Sequence, residues 1–580
     1  MKFYHLVCQI VLLIALWSTA SGSWPSDPDV NLPLGIQVSS GVDWGWGSSV
    51  VSSDGKGGII MAWIGDVVAG RWDIYAQWVD GDGTVRWREG GTPVCTADGE
   101  QVYPGIVPDG TGGAIVVWED QETSKVLAQR IGQDGSILWK DGGVRVCPVE
   151  SPQFAPELCP DGDGGAIVTW MDSRRISTNT TDIYAQRIGP DGNLLWDPRG
   201  VLMSDTTGTR GVPRIVPDGS GGAIVAWYGG PELIDKLHAQ RIDHEGHILW
   251  GKYGVLLAGE DSNPVFEEPP SLCGSGEGGV IAAWRDTRSG PGADLYIQKI
   301  SPGGVPCWGR DGAPLCRAQG EQLELSLAPD GRGGAFAVWR DQRSEPSIRI
   351  FAQRVSADGK PLWAEDGVPV SQDTGLTVQY RPALAPDGRG GVIVVWEDMR
   401  YNLTYEVPDI FAQKLDPDGR PAWDPEGVPV CTAENSQTRP RVVPDGEGGA
   451  IAVWKDMRKA YFDLYLQRIL ADGTLGGAPT SVEEYPSGLQ HFYLREFPNP
   501  FNSSLTLVYS LPEETPVRLA VYDISGSPVR LLVSGYGEPG LHRVTWDGRD
   551  EEGRPVASGI YIVRLEAGGQ RIASKVTMVR

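Results

Sequence analysis

The chain predicts an all-β protein: an eight-bladed β-propeller of four-stranded blades followed by a small β-sandwich. Three observations predict it. First, the string D-G-x-G-G-(A/V/I)-(I/F)-x-x-W recurs eight times, ending at Trp63, Trp118, Trp170, Trp227, Trp284, Trp339, Trp396 and Trp454, 52 to 58 residues apart; the fifth copy has Ser275 in place of Asp. Second, each copy is followed by (I/L/V)-x-(A/I/L)-Q, with the Gln at 77, 129, 186, 240, 298, 353, 413 and 467. Third, a second Trp comes ten residues after the first seven of these Gln, at Trp87, Trp139, Trp196, Trp250, Trp308, Trp363 and Trp423, and a G-(V/T/A)-x-(V/L/M) string starts four residues later; the eighth copy has Gly477 instead. Fixed-period self-similarity of this kind marks a repeat architecture.

Within a unit the elements follow in order. In the fourth copy, Pro213–Val216 reads as one short strand. Ala223–Trp227 follows the Gly-rich turn as a second, Leu237–Ile242 is a third, and Ile248–Leu257 is a fourth, broken near Gly254. D-G turns separate β-branched and aromatic runs, and no segment longer than a turn or two has helical periodicity. A four-stranded blade cannot bury both faces alone, so the units stack. Closure into a ring is expected because unit eight lacks its last strand and a spare copy, Gly35–Ser39, lies upstream of unit one; an open solenoid is the alternative. Strands alternate direction, so the D-G-x-G-G and x-x-D-G turns share one face of the disc. The 2-to-3 and 4-to-1 loops share the other, and these vary in length and composition, which favours that face for binding.

The chain has 580 residues, 75 acidic against 50 basic, and a net charge of −25, with no basic run. That excludes nucleic acid and anionic membrane as partners. Residues 1–22 read as a signal peptide, with Lys2, an apolar stretch from Leu6 to Leu16 and Ser18-Thr19-Ala20 as a small-x-small cleavage site. A membrane anchor is the alternative, but the stretch is short for a bilayer and no later segment could span one. Residues 23–34 are a leader, 35–478 the propeller, 479–492 a Pro- and Gly-containing linker and 493–580 the sandwich. The sandwich has as many acids as bases, so the acidity belongs to the propeller.

The candidate binding residues come from W-x-D-x-R, which closes the second strand in five units: Asp172 and Arg174, Asp286 and Arg288, Asp341 and Arg343, Asp398 and Arg400, Asp456 and Arg458. Period two puts each Trp, Asp and Arg on one face of the strand, near the variable-loop rim. They offer hydrogen-bonding groups to a glycan or peptide, or alternatively a repeated salt bridge and cap. No catalytic residue is expected, because a catalytic site breaks a repeat and is not copied five times. Cys95, Cys147, Cys316 and Cys431 share a repeat position with Ser204, Ala258 and Ser371, and Cys159 and Cys273 share one with valines and alanines. Such positions are packing sites, so free buried thiols are expected. His244-Glu245-Gly246-His247 reads as an exposed turn, and the Gly-rich turns carry too few carboxylates for calcium. No metal or cofactor is expected.

Two resemblances add to this. Ile183-Tyr184-Ala185-Gln186 through Gly192 to Trp196 resembles the tryptophan-docking repeat of quinoprotein dehydrogenases, which are eight-bladed. The resemblance implies Trp stacking between blades, but no adjacent cysteine pair accompanies it and no quinone cofactor is carried over. The same turn is distantly similar to the Asp-box of sialidase propellers, without most of its Ser and Thr. At the other end, Phe497-Pro498-Asn499-Pro500-Phe501-Asn502, Tyr509-Ser510-Leu511-Pro512, Val521-Tyr522-Asp523, Trp546-Asp547-Gly548, Ser558-Gly559-Ile560-Tyr561 and Lys575 resemble the type A C-terminal sorting domain of type IX secretion cargo, related to the Ig-like domain of flagellar hook-capping proteins. That resemblance implies an Ig-like sandwich at 493–580, recognition by the type IX export machinery, and attachment to outer-membrane lipopolysaccharide. The expected protein is an extracellular or surface binding module for glycan or protein in a Gram-negative-type bacterium. The alternatives are a carbohydrate-active hydrolase or lyase, and a tail that is only an adhesive Ig-like module.

Overall fold

The computed structural model describes residues 24–578 apart from 27, 29–30, 38–48, 69–70, 176–180, 205–209, 230–235, 260, 266–267, 277, 291, 373–374, 376, 401–406, 459–461, 477–492, 498–504, 512–513 and 539. The signal peptide expected over 1–22, the linker over 479–492 and the Pro498–Asn502 motif lie outside these residues. Among them every regular element is a strand, and no helix is long and apolar enough to cross a membrane. The chain separates into two compact units, one over Met1–Arg400 and Val407–Ala478, the other including Pro479–Arg580.

The first unit holds eight four-stranded antiparallel sheets. In chain order blades 1 to 7 span residues 49–95, 101–145, 153–202, 210–256, 271–316, 322–369 and 379–431, and blade 8 takes its first three strands from 437–469. In blade 3 the strands are Gln153–Pro160, Ala166–Asp172, Asp182–Ile188 and Val201–Leu202, each hydrogen-bonded to the next. The first strand of every blade packs against the first strand of the next, blade 8 against blade 1 included, so these strands ring a central channel. The fourth strand of blade 8 is Leu32–Gln37, antiparallel to Asp463–Ile469, so the spare upstream strand closes the ring and starts three residues earlier than expected.

Closure has a second part that the repeat pattern did not reveal. The Trp absent at 477 is supplied by Trp24. Trp139 Nε1–H donates to the Pro190 carbonyl of the next blade, and Trp250 to Pro302; Trp24 donates to Gly81 of blade 1 at 3.0 Å. Each such indole lies against a turn glycine of the next blade. A Cβ on Gly359 would sit 2.5 Å from Trp308, and one on Gly83 3.2 Å from Trp24, and both glycines have φ above +80°. These positions therefore need glycine twice, for conformation and for space. The repeated Gln ties the fourth strand: Gln186 Nε2–H donates to the carbonyl after Trp196, and Gln467 does the same to Pro25, the residue after Trp24. Asn31 completes the tie, donating to the Val430 carbonyl and accepting from Arg458.

The C-terminal unit has a three-stranded sheet (Tyr493–Phe497, Leu505–Leu511, Gly540–Trp546) and a four-stranded sheet (Pro528–Gly537, Thr515–Asp523, Gly559–Ala567, Gln570–Met578). Alternate residues of both sheets, among them Leu505, Leu507, Tyr509, Leu519, Val521, Trp546, Tyr561 and Val563, form one core. Three residues of the C-terminal motifs thus have an evident physical role. Tyr509 and Trp546 are buried, and Trp546 meets Tyr561 edge-on at 5.4 Å while its Nε1–H donates to the Arg549 carbonyl.

Candidate functional site

The ten Asp and Arg residues expected at the rim form five copies of an internal clasp. In blade 7, Asp398 is wholly buried and accepts from Trp396 Nε1–H at 2.8 Å and from Arg400 Nη2–H at 2.6 Å, while the guanidinium lies 4.1 Å over the Phe411 ring. Asp172 with Arg174, Asp286 with Arg288, Asp341 with Arg343 and Asp456 with Arg458 repeat it, over Tyr184, Tyr296, Phe351 and Tyr465. Arg174, Arg343 and Arg458 also donate to the thiols of Cys147, Cys316 and Cys431. Burial alone would raise the Asp172, Asp286 and Asp398 carboxyls, but the arginine, the indole N–H and the other donors beside each together outweigh it and hold the group below the usual aspartate range. These donors and acceptors are directed at one another and at the chain, so the place of the motif in the molecule is that of a clasp between a blade's second and third strands. Blades 1, 2 and 4 lack the full motif, and there Trp63, Trp118 and Trp227 have no partner for Nε1–H.

The opposite face carries a matching girdle. Asp109 caps its D-G-x-G-G turn by accepting from the Thr111 and Gly113 amides and also accepts from Arg130, which reaches on to the Pro190 carbonyl of blade 3. The turn aspartates are thus occupied by amides and by an arginine at Asp109, Asp161, Asp218, Asp330 and Asp445, by Lys414 at Asp387 and by the Trp78 indole at Asp54. Asp243, Glu245 and His247 are the one group of potential metal ligands found among the described residues, two of the three exposed on an ordinary D-x-G turn. All seven cysteines after residue 22 are free, six of them buried and Cys307 exposed; burial pushes the Cys273 and Cys316 thiols up to about 12. Buried thiols at that value are inert.

The asymmetric feature lies in the channel. A cavity of about 480 Å³ opens among the first strands of blades 8, 1, 2, 3 and 4, with Tyr103, Glu119, Gln121, Phe154, Glu157, Arg214 and Arg441 in its wall. It sits at the variable-loop end. Val102 and Glu119 pair across the start of a first strand and the end of a second, where the 4-to-1 and 2-to-3 loops attach. Two backbone positions aim these side chains. One is the residue after the first repeat Trp, which is Ile64, Glu119, Met171, Tyr228, Arg285, Arg340, Glu397 or Lys455 according to the blade. The other lies in the first strand, opposite the residue before the repeat Trp, and supplies Val50, Gly105, Glu157, Arg214, Ser271, Ser326, Ala383 and Arg441; in all blades but 1 and 5 it follows a bulge. At the bulge Tyr103, Ala155, Glu324, Arg381 and Arg439 all have φ between 48° and 58°. Non-glycine residues in that region are strained and tend to gather at functional sites.

Carboxylates of the preceding blade catch the bulge amides. Glu119 accepts from the Ala155 amide at 3.0 Å, Glu324 from Arg381 and Glu397 from Arg439. Burial raises the Glu119 carboxyl above the usual glutamate range, with the Ala155 N–H only partly opposing it, and burial also raises Glu324. Glu157 is ion-paired with Arg214, Glu397 with Arg381 and Glu324 with Arg340. The pocket wall therefore includes a buried acid of raised pKa, Glu119, and an ion-paired acid, Glu157, in positions that repeat in backbone but not in residue type.

Comparison with known proteins adds the following. Residues 502–570 match the family model of the FlgD Ig-like domain. No curated protein matches the chain. Among solved structures the chain is similar to puromycin hydrolase, at 14% identity and a TM-score of 0.39, over 85% of this chain and 61% of that one. It thus spans about three-fifths of that enzyme's length. It is also similar to an endo-arabinase from Bacteroides thetaiotaomicron, at 15% identity and a TM-score of 0.26, over 46% of this chain and 97% of that one. A third likeness is to PorZ, a bacterial surface component of the type-IX secretion system of Porphyromonas gingivalis, at 10% identity and a TM-score of 0.19, over 95% of this chain and 100% of that one.

Proposed function

We propose that this is an exported surface or secreted protein whose propeller binds an extracellular glycan in the channel mouth. One observation carries the reading: the wall of the 480 Å³ pocket is built from charged, aromatic and amide side chains that break an otherwise eightfold pattern. Small-ligand sites are concave, of roughly 300–1,000 Å³, with a few convergent polar groups on a largely fixed scaffold. The protein-ligand alternative is weaker, because a concavity of about 480 Å³ suits a small ligand better than a broad protein surface. A second reading, hydrolase, is favoured by Glu119 and Glu157. Two carboxyls in one pocket, one buried and raised, the other ion-paired, are the elements of an acid–base pair.

The test is a glycan array on the chain from residue 23 onward, followed by a product assay on whatever it retains. Retention of a defined glycan subset is the expected result, and retention of none removes the reading. Released product that disappears in Glu119→Gln establishes the hydrolase.

Residues 493–580 we read as the sorting domain, supported by the Ig-like match and by the buried motif residues Tyr509, Trp546 and Tyr561. The partners are then the type IX export machinery and, after passage, outer-membrane lipopolysaccharide. Deleting 493–580 should hold the protein in the periplasm of a host that has this system; undiminished surface display after the deletion contradicts the reading.

A further inference from the structure

Resting on the glycan reading above, the structure assigns a ligand class to the same pocket: we propose that it takes a carboxylated sugar of the uronate type, whose carboxylate is received by Arg441. The first observation is a cluster of arginines around Arg441, in a pocket whose wall carries as many arginines as acids. The chain carries −25 overall, yet Arg214 from blade 4, Arg381 from blade 7 and Arg439 and Arg441 from blade 8 lie close enough to repel one another around the channel. Desolvation by the surrounding wall and these three neighbours lower the Arg441 pKa, Glu397 opposes them, and the side chain itself is exposed in the pocket. An assembly of this kind has an electrostatic cost that a bound anion removes.

The second observation is the pairing. Arg214 is answered by Glu157 and Arg381 by Glu397. The Arg441 side chain makes no hydrogen bond and no ion pair with any described residue, Glu397 acting on it only at longer range, although it lines the pocket wall. Its planar fork of N–H donors matches a carboxylate in bidentate fashion, and such charge-assisted pairs are about twice as strong as neutral hydrogen bonds.

The third observation concerns the rest of the wall. Tyr103 and Phe154 present ring surface, and Gln121 presents an amide, to the same space. A sugar ring has an apolar face and a rim of hydroxyls that suit those groups. Glu119 does not oppose the anion in full, since its buried carboxyl favours the protonated form more than an exposed one would.

The experiment is calorimetric titration of the chain from residue 23 onward with trimers of galacturonate, glucuronate and guluronate, each beside its methyl ester. The ester keeps the shape and removes the charge. At least one acid should bind about tenfold or more tighter than its ester. Arg441→Gln should erase that preference while melting with the parent, and Arg441→Lys should restore part of it. If Arg441→Gln fails to fold, Arg441→Lys carries the test, because a lysine keeps the charge and loses the fork. Equal binding of acid and ester overturns the carboxylate assignment and leaves the glycan reading standing. No binding of any trimer or ester, with none on the array, overturns both. Preference for a triglutamate peptide over every uronate, with the same dependence on Arg441, overturns the sugar.

Discussion

Removing residues 24–37 should open the propeller. The deletion takes away the fourth strand of blade 8, the Trp24 contact with Gly83, and the Asn31 bridge between Val430 and Arg458. It exposes the hydrogen-bonding edge of Asp463–Ile469, and an open edge of paired-strand backbone recruits other chains. The expected result is a soluble-aggregate or misfolded product on size-exclusion chromatography. Trp24→Ala alone should cost about 3–5 kcal/mol, the usual loss for a buried Trp truncated to Ala, because the side chain is only 4% exposed and its N–H bond goes with it. A melting temperature unchanged from the parent would mean that the leader does not close the ring. Closure by a segment upstream of blade 1 has a further consequence. The last strand to be synthesised in the ring, Asp463–Ile469, pairs with the first, so the ring forms only once the whole repeat array is present.

Asp398→Ala should be the most damaging single substitution at the clasps. It leaves the guanidinium of Arg400 and the indole N–H of Trp396 buried beside a cavity, where each had a charged acceptor. Breaking a buried ion pair by removing one partner costs about 3–5 kcal/mol, more than the pair itself contributes. Denaturant unfolding measures it, and Asp398→Ala combined with Arg400→Leu should recover part of the loss, since no unpaired charge then remains. A loss below about 1 kcal/mol for the single variant would place the clasp in water. The pH dependence has a defined sign. The folded Asp172, Asp286 and Asp398 carboxyls lie below their unfolded value of about 3.9, so they contribute stability in full above that pH and lose it as pH falls through the folded values.

The repeat made the blades legible from the sequence, since period and turn chemistry state a local geometry in eight copies and the Trp-x-Asp-x-Arg spacing states one in five. Trp24 was invisible to that logic. It stands outside the array, 443 positions from Gln467 and with none of the flanking string, and only the fold brings its indole to Gly83. The clasps show the converse. Period two puts Trp and Asp on one face of the strand, with the Arg inside the strand only at Arg343 and just past its end in the other four, but nothing in the sequence says whether that face meets water or the aromatic ring of the third strand. In the fold it meets Tyr184, Tyr296, Phe351, Phe411 and Tyr465. The pocket residues were legible in principle. Glu119 and Glu397 follow the repeat Trp where other blades have Ile64 or Met171, and Glu157, Arg214 and Arg441 follow the bulge where others have Gly105 or Ala383. Their signal is variation inside a fixed frame. A search for recurring motifs passes over it, and which variable positions share one end of the channel depends on the bulge.

The central claim is that function resides in the asymmetric channel mouth and not in the repeated clasps or turns. Hydroxyl-radical footprinting of the chain with and without the glycan selected on the array tests it most directly. Protection should fall on Tyr103 and Phe154 of the pocket wall and leave Leu195, Leu249 and Leu362, exposed beside the x-x-D-G turns, unchanged. Protection of those turn leucines, with Tyr103 and Phe154 as reactive as in the free protein, would contradict it.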